Sequence, residues 1–194
     1  ESTKIYLKID DELVGAILLK DEAKHGTKEA IQALNSRGIV TKMFTGDNKK
    51  AAKQIAEELG ISEFAAEMLP DQKYSELEKE LEKYKGTNGK VAFVGDGIND
   101  SPVLARADVG ISMGGVGSGS AIEASDIVVM TDSIDRIDCA IDISKKTSKI
   151  IKQNLIFSIG VKIVVLILSV FGVANMWEAV FADVGATLMT VLNS

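Results

Sequence analysis

Hydrophobic and polar positions follow two rhythms over residues 1–153, one typical of strands and one typical of helices. Short, mainly apolar runs predict strands at 4–9, 13–19, 39–44, 91–94, 108–112 and 127–130. Apolar residues repeated on one helical face predict helices at 27–37, 48–59 and 70–84, with shorter helices near 101–107 and after a Gly/Ser loop at 114–120. Strands that alternate with helices indicate an α/β fold with a parallel sheet.

The last part of the chain, residues 154–194, is almost purely apolar and predicts a membrane hairpin. Residues 155–174 are long enough to cross a bilayer core of about 30 Å as a helix. Residues 179–192 are shorter, but they also reach across if Met176 and Trp177 are counted with them. The alternative is a buried helical pair in a soluble core, but a soluble domain of this size could hardly cover both helices.

The distribution of charge predicts an orientation and excludes one class of partner. Four lysines precede the first span and predict that this flank, and with it both ends of the hairpin, is cytoplasmic: Lys145, Lys146, Lys149 and Lys152. The net charge of −6 argues against nucleic-acid binding, which usually needs a basic face. The single cysteine, Cys139, excludes an internal disulfide, and a start at Glu1 without signal peptide or initiator Met suggests a fragment or a processed chain.

The segment 94–102 (VGDGINDSP) is the strongest candidate for chemistry. It places Asp96 and Asp100 four positions apart on a glycine-rich turn directly after an apolar strand. Glycines allow tight backbone conformations there, and carboxylates beside phosphate oxygens are ligands that Mg²⁺ prefers. The alternative is an ordinary Asp-Gly turn capped by Asn99.

A second polar turn, Thr45-Gly46-Asp47, also follows a predicted strand. Ligands of parallel sheets gather beyond the carboxyl ends of the strands. We therefore expect this turn and the segment 94–102 to face one crevice. A strand-end turn without function is the alternative for this triplet.

These motifs resemble those of a known family. Residues 45–47 (TGD), 70–73 (PDQK) and 95–102 (GDGINDSP), in this order, are similar to the phosphorylation domain of P-type ATPases, which has the haloacid dehalogenase-like fold. Residues 161–162 (VK) and 176–185 (MWEAVFADVG) resemble the zinc-, cadmium- and lead-exporting subgroup of heavy-metal pumps. The resemblance extends over essentially the whole chain. It implies an α/β parallel sheet with helices on both faces, followed by a two-helix transmembrane hairpin.

The resemblance also implies that much of such a pump lies outside these residues. The DKTGT string with the phosphorylated aspartate, the actuator TGE string and the intramembrane CPC string do not occur in the sequence. The nucleotide-binding domain, which would make most of the contacts with ATP, is absent as well. The chain is therefore expected to contain a partial phosphorylation domain at 1–140, a basic helical linker at 141–153 and the hairpin at 154–194. Alone it is expected to be inactive.

The family's Mg²⁺ site falls on the segment 94–102. By resemblance, Asp96 is the magnesium ligand, and Asp100 supports the metal or its water. Asn99 helps to shape the loop, and Gly95 and Gly97 are the cofactor-binding glycines.

The family's phosphate contacts fall on two other motifs. By resemblance, Lys73 pairs with the phosphoryl oxygens, and Thr45 donates its hydroxyl and backbone N–H to phosphate. Gly46 belongs to the same catalytic turn, and Asp47 lies nearer the nucleotide. A solvated helix lysine is the alternative for Lys73.

Two charged residues inside the predicted spans are the basis for predicting a role in metal transport. At about 1.5 Å per residue, Lys162 lies about 12 Å and Asp183 about 16 Å deep in the membrane, counted from the predicted cytoplasmic ends of the two spans. At these similar depths the two side chains can form an ion pair. Ionisable groups inside a span are costly and usually functional. We expect Asp183 to coordinate or receive the transported metal and Lys162 to balance its charge. For Lys162, snorkelling to the headgroups is the alternative.

The resemblance implies part of an ATP-driven pump that exports Zn²⁺, Cd²⁺ or Pb²⁺ through an aspartyl-phosphate outside this chain. Its expected partners are the heavy-metal ion, membrane lipid and the remaining domains of the pump, and its expected location is the cell membrane, with multiple spans. The phosphorylation domain and the C-terminus would be cytoplasmic. Two alternatives stay open: a non-catalytic split subunit or truncated product, and a membrane-anchored phosphatase of the same fold.

Overall fold

The computed structural model describes residues 3–10, 12–19, 23–95, 99–114, 119–131, 133–172 and 175–194. The chain divides into two compact units, Glu1–Asp138 and Cys139–Ser194, which are taken in turn.

The first unit begins with an antiparallel hairpin of β1 (Thr3–Ile9) and β2 (Glu12–Leu19). Asp10 lies in its turn with a left-handed φ of 48°. Among the described residues, these two strands pair only with each other and form a sheet of their own.

Five short parallel strands follow, and they confirm the predicted parallel pairing. β3 (Lys42–Phe44) pairs with β4 (Glu63–Ala65), while β5 (Ala92–Gly95), β6 (Val109–Met113) and β7 (Ile127–Val129) form a second sheet in that order.

Two details of the strand prediction were wrong. β4 was missed because only three residues pair, too few for an apolar rhythm to be visible. The strand predicted at 39–44 is shorter than expected, since Ile39 and Val40 lie before β3 and are 38% and 66% exposed.

The helices of the first unit lie close to their predicted bounds. They are α1 (Thr27–Ser36), α2 (Lys49–Leu59), α3 (Pro70–Tyr84), α4 (Ser101–Arg106) and α5 (Gly119–Ala124). The start of α2 is capped by Asn48, whose Oδ1 accepts from the N–H of Ala51 at 2.9 Å. Gly60, with a φ of 74°, ends the same helix.

α4 lies at the centre of the unit's core. Val103 and Leu104 are each 1% exposed, and the helix packs against α3, α5, β5 and β6. Its backbone comes so close to β6 that a Cβ added to Gly110 would lie 2.5 Å from the carbonyl oxygen of Leu104. This close approach requires glycine and sets the position of α4, which starts directly after Asp100.

The second unit consists of two long helices. α6 (Asp135–Val170) starts in the first unit and runs without interruption through 141–153 into the predicted first span. The span predicted at 155–174 was too long, because the helix ends at Val170 and Gly172 turns the chain with a φ of 72°. α7 (Met176–Asn193) follows.

Among the described residues, α6 is the one helix that is long and apolar enough to cross a membrane. Its most apolar window has a mean hydropathy of 2.0, and none of it is buried within the protein. α7 carries Glu178 and Asp183, and it does not meet the same criterion of length and apolar composition. The predicted pair of membrane spans is therefore supported in part.

Candidate functional site

The turn after β3 is built around Thr45 and Asp47. The Thr45 hydroxyl donates to Asp47 Oδ2 at 2.8 Å and accepts from the Asp47 N–H at 3.1 Å. Backbone bonds from Glu67 N–H to Asp47 O and from Met68 N–H to Thr45 O tie this turn to the segment that leads into α3. The turn at 45–47 is thus held beside the start of the helix that carries Lys73.

The start of α3 is capped by the Gln72 side chain. Leu69 N–H donates to the Gln72 side chain at 2.8 Å, and Pro70 occupies the first turn, where its missing N–H costs nothing. This cap orients the first turn of α3, and Lys73 follows directly after it. The motif at 70–73 therefore has a structural role as well as the predicted chemical one.

Lys73 and Asp100 meet in an almost buried ion pair. Lys73 Nζ lies 3.0 Å from Asp100 Oδ1 and 3.4 Å from Oδ2, and the two side chains are 20% and 12% exposed. A carboxylate so far from solvent needs a cation beside it. The structure therefore does not support the alternative interpretation of Lys73 as a solvated helix lysine.

The end of β5 is shaped around Asp100. A Cβ added to Gly95 would lie 3.2 Å from both Cβ and Oδ2 of Asp100, so a side chain at position 95 would push the Asp100 carboxylate by a few tenths of an ångström. The carbonyl oxygen of Asp100 accepts from the N–H groups of Val103 and Leu104, which fixes the residue at the start of α4. Asn99 lies in the preceding turn and is exposed.

A second ion pair fixes α3 against β3. Lys42 Nζ lies 2.7 Å from Glu80 Oε1, and this hydrogen bond raises the pKa of Lys42. Burial opposes ionisation of Glu80, but hydrogen bonds from Lys42 and Lys83 outweigh it and lower the pKa of that carboxyl. The pair helps to hold the helix that carries Lys73 beside the turn at 45–47.

Asp96 and Gly97 lie outside the residues that the structure describes, so their predicted roles are not tested by its geometry. Within the described part of the chain, no group of three or more His, Cys, Asp and Glu side chains is placed to hold a metal ion. The near-buried oxygens of Asp100, beside a positive charge and within a loop built to accommodate them, nevertheless fit a Mg²⁺ site completed by other ligands.

The phosphatase alternative requires an aspartate at the end of a first parallel strand. Asp10, which follows β1, lies in the turn of the separate antiparallel hairpin instead. Asp10 is therefore not placed at the carboxyl end of a parallel strand. The neighbouring Asp11 lies outside the described residues.

In the second unit, the predicted ion pair between the two long helices is confirmed. Lys162 Nζ on α6 lies 3.3 Å from Asp183 Oδ1 on α7. The two side chains are 65% and 60% exposed, so they reach past the helix contact into the surroundings. Their role in metal transport stays a prediction.

A polar contact between the same helices was not predicted from the sequence. Asn154 Nδ2 donates to the carbonyl oxygen of Thr190 at 3.0 Å and to Ser194 Oγ at 3.1 Å, and Asn154 Oδ1 accepts from Asn193 Nδ2 at 2.8 Å. The signal that could have revealed it is the presence of an asparagine at each outer end of the two apolar segments.

Comparisons with known proteins agree with the predicted resemblance. The family model for haloacid dehalogenase-like hydrolases matches residues 1–108. The cadmium, zinc and cobalt-transporting ATPase of Bacillus subtilis (strain 168) is 49% identical over 193 residues, which is 99% of this chain and 27% of the relative. The zinc-transporting ATPase of Synechocystis sp. (strain ATCC 27184 / PCC 6803 / Kazusa) is 45% identical over 99% of this chain and 26% of its own length.

A solved structure matches both the fold and the sequence. The crystal structure of a zinc-transporting PIB-type ATPase in its E2.Pi state superposes with a TM-score of 0.84 at 34% identity. The match covers 99% of this chain and 31% of that protein. The chain thus spans roughly a quarter of the curated relatives that it matches, which are 26–27% covered.

Proposed function

This chain belongs to the haloacid dehalogenase-like hydrolase family, and from that premise we propose that it is the C-terminal part of an ATP-driven heavy-metal pump. The pump would export Zn²⁺, Cd²⁺ or Pb²⁺ through an aspartyl-phosphate intermediate whose aspartate lies outside these residues. The named relatives that transport cadmium and zinc support this proposal.

The observation that carries the proposal is the Lys162–Asp183 ion pair between two apolar helices. Charged groups at such a depth are expensive unless they serve a function. A carboxylate oxygen is an acceptable ligand for Zn²⁺, although a complete site needs further ligands from elsewhere. Asp183 would bind the metal ion, and Lys162 would neutralise Asp183 when the ion is absent.

The first unit would supply positive charge and hydrogen-bond donors to the transferred phosphoryl group. Phosphoryl transfer depends mostly on positioning and charge neutralisation. Lys73 would bring its ammonium group to the phosphoryl oxygens, and Thr45 would donate its hydroxyl from the turn that also contains Gly46. Its N–H, which was also expected to bind phosphate, donates instead to the carbonyl oxygen of Ala65 at 2.9 Å. Asp47 would lie on the nucleotide side.

The segment 94–102 would hold Mg²⁺ through Asp96 and Asp100, with Asn99, Gly95 and Gly97 shaping the loop. When bound, the ion neutralises charge on phosphate and carboxylate oxygens. ATP would be held mainly by a nucleotide-binding domain that these residues do not include. Within the chain, the close packing of Gly95 against the Asp100 carboxylate is the observation that supports a Mg²⁺ site here.

The proposed organisation follows the sequence: a partial phosphorylation domain at 1–140, a helical linker at 141–153 and a hairpin at 154–194. The hairpin would cross the cell membrane twice, in contact with lipid, and the rest would be cytoplasmic. The lysine-rich stretch before the apolar part of α6 supports this orientation. The remaining domains of the same pump would be its protein partners.

The proposal is tested in membrane vesicles that contain the full-length protein. Asp183→Ala should abolish the Zn²⁺- or Cd²⁺-stimulated part of ATP hydrolysis, because the metal loses a ligand at the site that triggers phosphorylation. Residual stimulation below about a tenth of the starting level is expected, as for loss of a group that acts only in the productive complex.

A second carboxylate on the same helix provides the matched control. Glu178 accepts from the Asn175 N–H at 2.9 Å and so caps the start of α7. Glu178→Gln keeps an acceptor oxygen and should retain metal-stimulated hydrolysis. Full stimulation of Asp183→Ala by Zn²⁺, Cd²⁺ and Pb²⁺ would show that the proposed metal site is wrong.

A further inference from the structure

The contact made by Asn154 and the Lys162–Asp183 pair lie on one seam between α6 and α7. Lys162 follows Asn154 by eight residues, and Asp183 precedes Thr190 by seven. Two turns of an α-helix take about 7.2 residues, so Asp183 and Thr190 lie almost on one line along α7, whereas Lys162 lies about 80° around α6 from Asn154, at the edge of the face that meets α7. The two polar contacts are therefore geometrically linked.

Small residues occupy the seam between these contacts. Ala186 is 4% exposed, and Ser158 and Ala182 are less exposed than the apolar side chains around them. Small side chains permit close helix packing in lipid. A rotation by one residue position, about 100°, would move Lys162 off the seam.

Directional hydrogen bonds add to the packing in setting the register of the two helices. The Asn154 amide donates to the main chain of Thr190 and accepts from the side chain of Asn193, so both of its polar atoms are engaged with α7. Apolar helices in lipid have little hydrophobic driving force to fix their register, so interhelical hydrogen bonds gain importance. The Lys162 and Asp183 side chains are too exposed to be held in place by packing alone.

We propose that Asn154 is a positioning residue that sets the register of α6 against α7 and so holds the Lys162 ammonium group against the Asp183 carboxylate. This inference deepens the proposed function and rests on it where the metal is concerned. The register itself depends only on the helix pair.

The register is tested by labelling lysines of the full-length protein in membranes with an amine-reactive ester and quantifying each site by mass spectrometry. The ester reaches Lys162 Nζ more readily when that atom is not held against Asp183 Oδ1, so the labelling rate of Lys162 reports loss of this contact. Asn154→Leu should therefore increase the labelling rate of Lys162 about three- to tenfold, in keeping with the modest strength of hydrogen bonds between helices in lipid. Lys149, exposed on the same helix, serves as the internal standard.

Three further variants separate positioning from general damage. Thr190→Ala should leave Lys162 labelling unchanged, because Asn154 bonds to the main-chain oxygen at that position. Asp183→Asn should raise the rate, and Asn154→Leu should add little in that background, since the two changes act through one contact. Asn154→Asp, which can accept but not donate, should give an intermediate rate.

Unchanged Lys162 labelling in Asn154→Leu, or an equal further increase in the Asp183→Asn background, would overturn the positioning role. A parallel measurement of Zn²⁺ binding tests the function separately. Weaker Zn²⁺ binding in Asn154→Leu supports the inference. If Asn154→Leu speeds Lys162 labelling while Asp183→Ala binds Zn²⁺ as well as the unaltered protein does, the positioning role of Asn154 is supported. In that case the proposed metal site at Asp183 is wrong.

Discussion

At the scale of single residues, the Lys73 ammonium group and the Asp100 carboxylate form an almost buried ion pair that joins α3 to the start of α4. Asp100, Thr45 and Asp47 were singled out because they follow predicted strands, where ligands of parallel sheets gather, and Lys73 was singled out because its motif resembles that of a known family. The direct Lys73–Asp100 contact was not foreseen, since the two residues lie 27 positions apart and spacing does not report a tertiary ion pair.

That contact leads to a prediction about local stability. Lys73→Met leaves Asp100 without its cation in a site where the side chain is only 12% exposed, and we expect the α3–α4 region to lose about 1–3 kcal/mol. Lys73→Met combined with Asp100→Asn should recover most of this loss, because the uncompensated charge is then gone. Native-state hydrogen exchange of peptides from α3 and α4 measures both effects.

A lysine on the outer face of α3 is the control for that experiment. Lys79 pairs with Glu76 near the surface, with its side chain 66% exposed, and Lys79→Met should change local stability by no more than about 0.5 kcal/mol. Equal losses for the two single variants, or no recovery in the double variant, would contradict a coupled Lys73–Asp100 pair.

At the scale of elements, the sequence predicted the longer helices closely and the shortest strands poorly. α2 and α3 have clear starts and stops in Asn48, Gly60 and Pro70, so their bounds follow from local chemistry. β4 has three residues and is defined by its pairing with β3, which no local pattern contains. The end of α6 was misplaced because apolar composition continues past Val170 while the backbone already turns at Gly172.

The approach of α4 to β6 gives a prediction at this scale. Gly110→Ala would place a methyl carbon 2.5 Å from the Leu104 carbonyl oxygen, so α4 must move away and carry Asp100 with it. We expect a destabilisation of about 1–3 kcal/mol, typical of overpacking, and a lower level of phosphoenzyme in the full-length protein. Hydrogen exchange in α4 and acid-stable labelling from ATP report the two consequences.

The first unit offers a matched glycine within a strand. A Cβ at Gly15 in β2 meets nothing within 4 Å, and Gly15→Ala should leave α4 exchange and phosphoenzyme unaltered. If Gly110→Ala behaved like Gly15→Ala in both measurements, the close approach would not be what positions Asp100.

At the scale of the whole molecule, the sequence predicted a parallel sheet but could not predict that it would form in two pieces. Among the described strands, β3 pairs only with β4, and β5 pairs only with β6. Phe44 of β3 and Phe93 of β5 nevertheless approach each other, with ring centroids 6.5 Å apart. The edges of β3 and β5 therefore have unused hydrogen-bonding groups, and such edges readily accept a further strand.

This divided sheet supports the expectation that the phosphorylated aspartate comes from another segment, and it gives the last prediction. The 194-residue chain, incubated with Mg²⁺ and γ-labelled ATP in lipid nanodiscs, should acquire no hydroxylamine-sensitive phosphate. It lacks a DKTGT string, and within the described part of the chain no strand pairs with the outer edges of β3 and β5. The full-length protein should be labelled under the same conditions. In that protein, Lys73→Met should reduce labelling at least about tenfold, because it removes a charge that stabilises the transferred phosphoryl group. Stable acyl-phosphate on the isolated chain would place the nucleophile within these residues and would favour the phosphatase alternative over the pump.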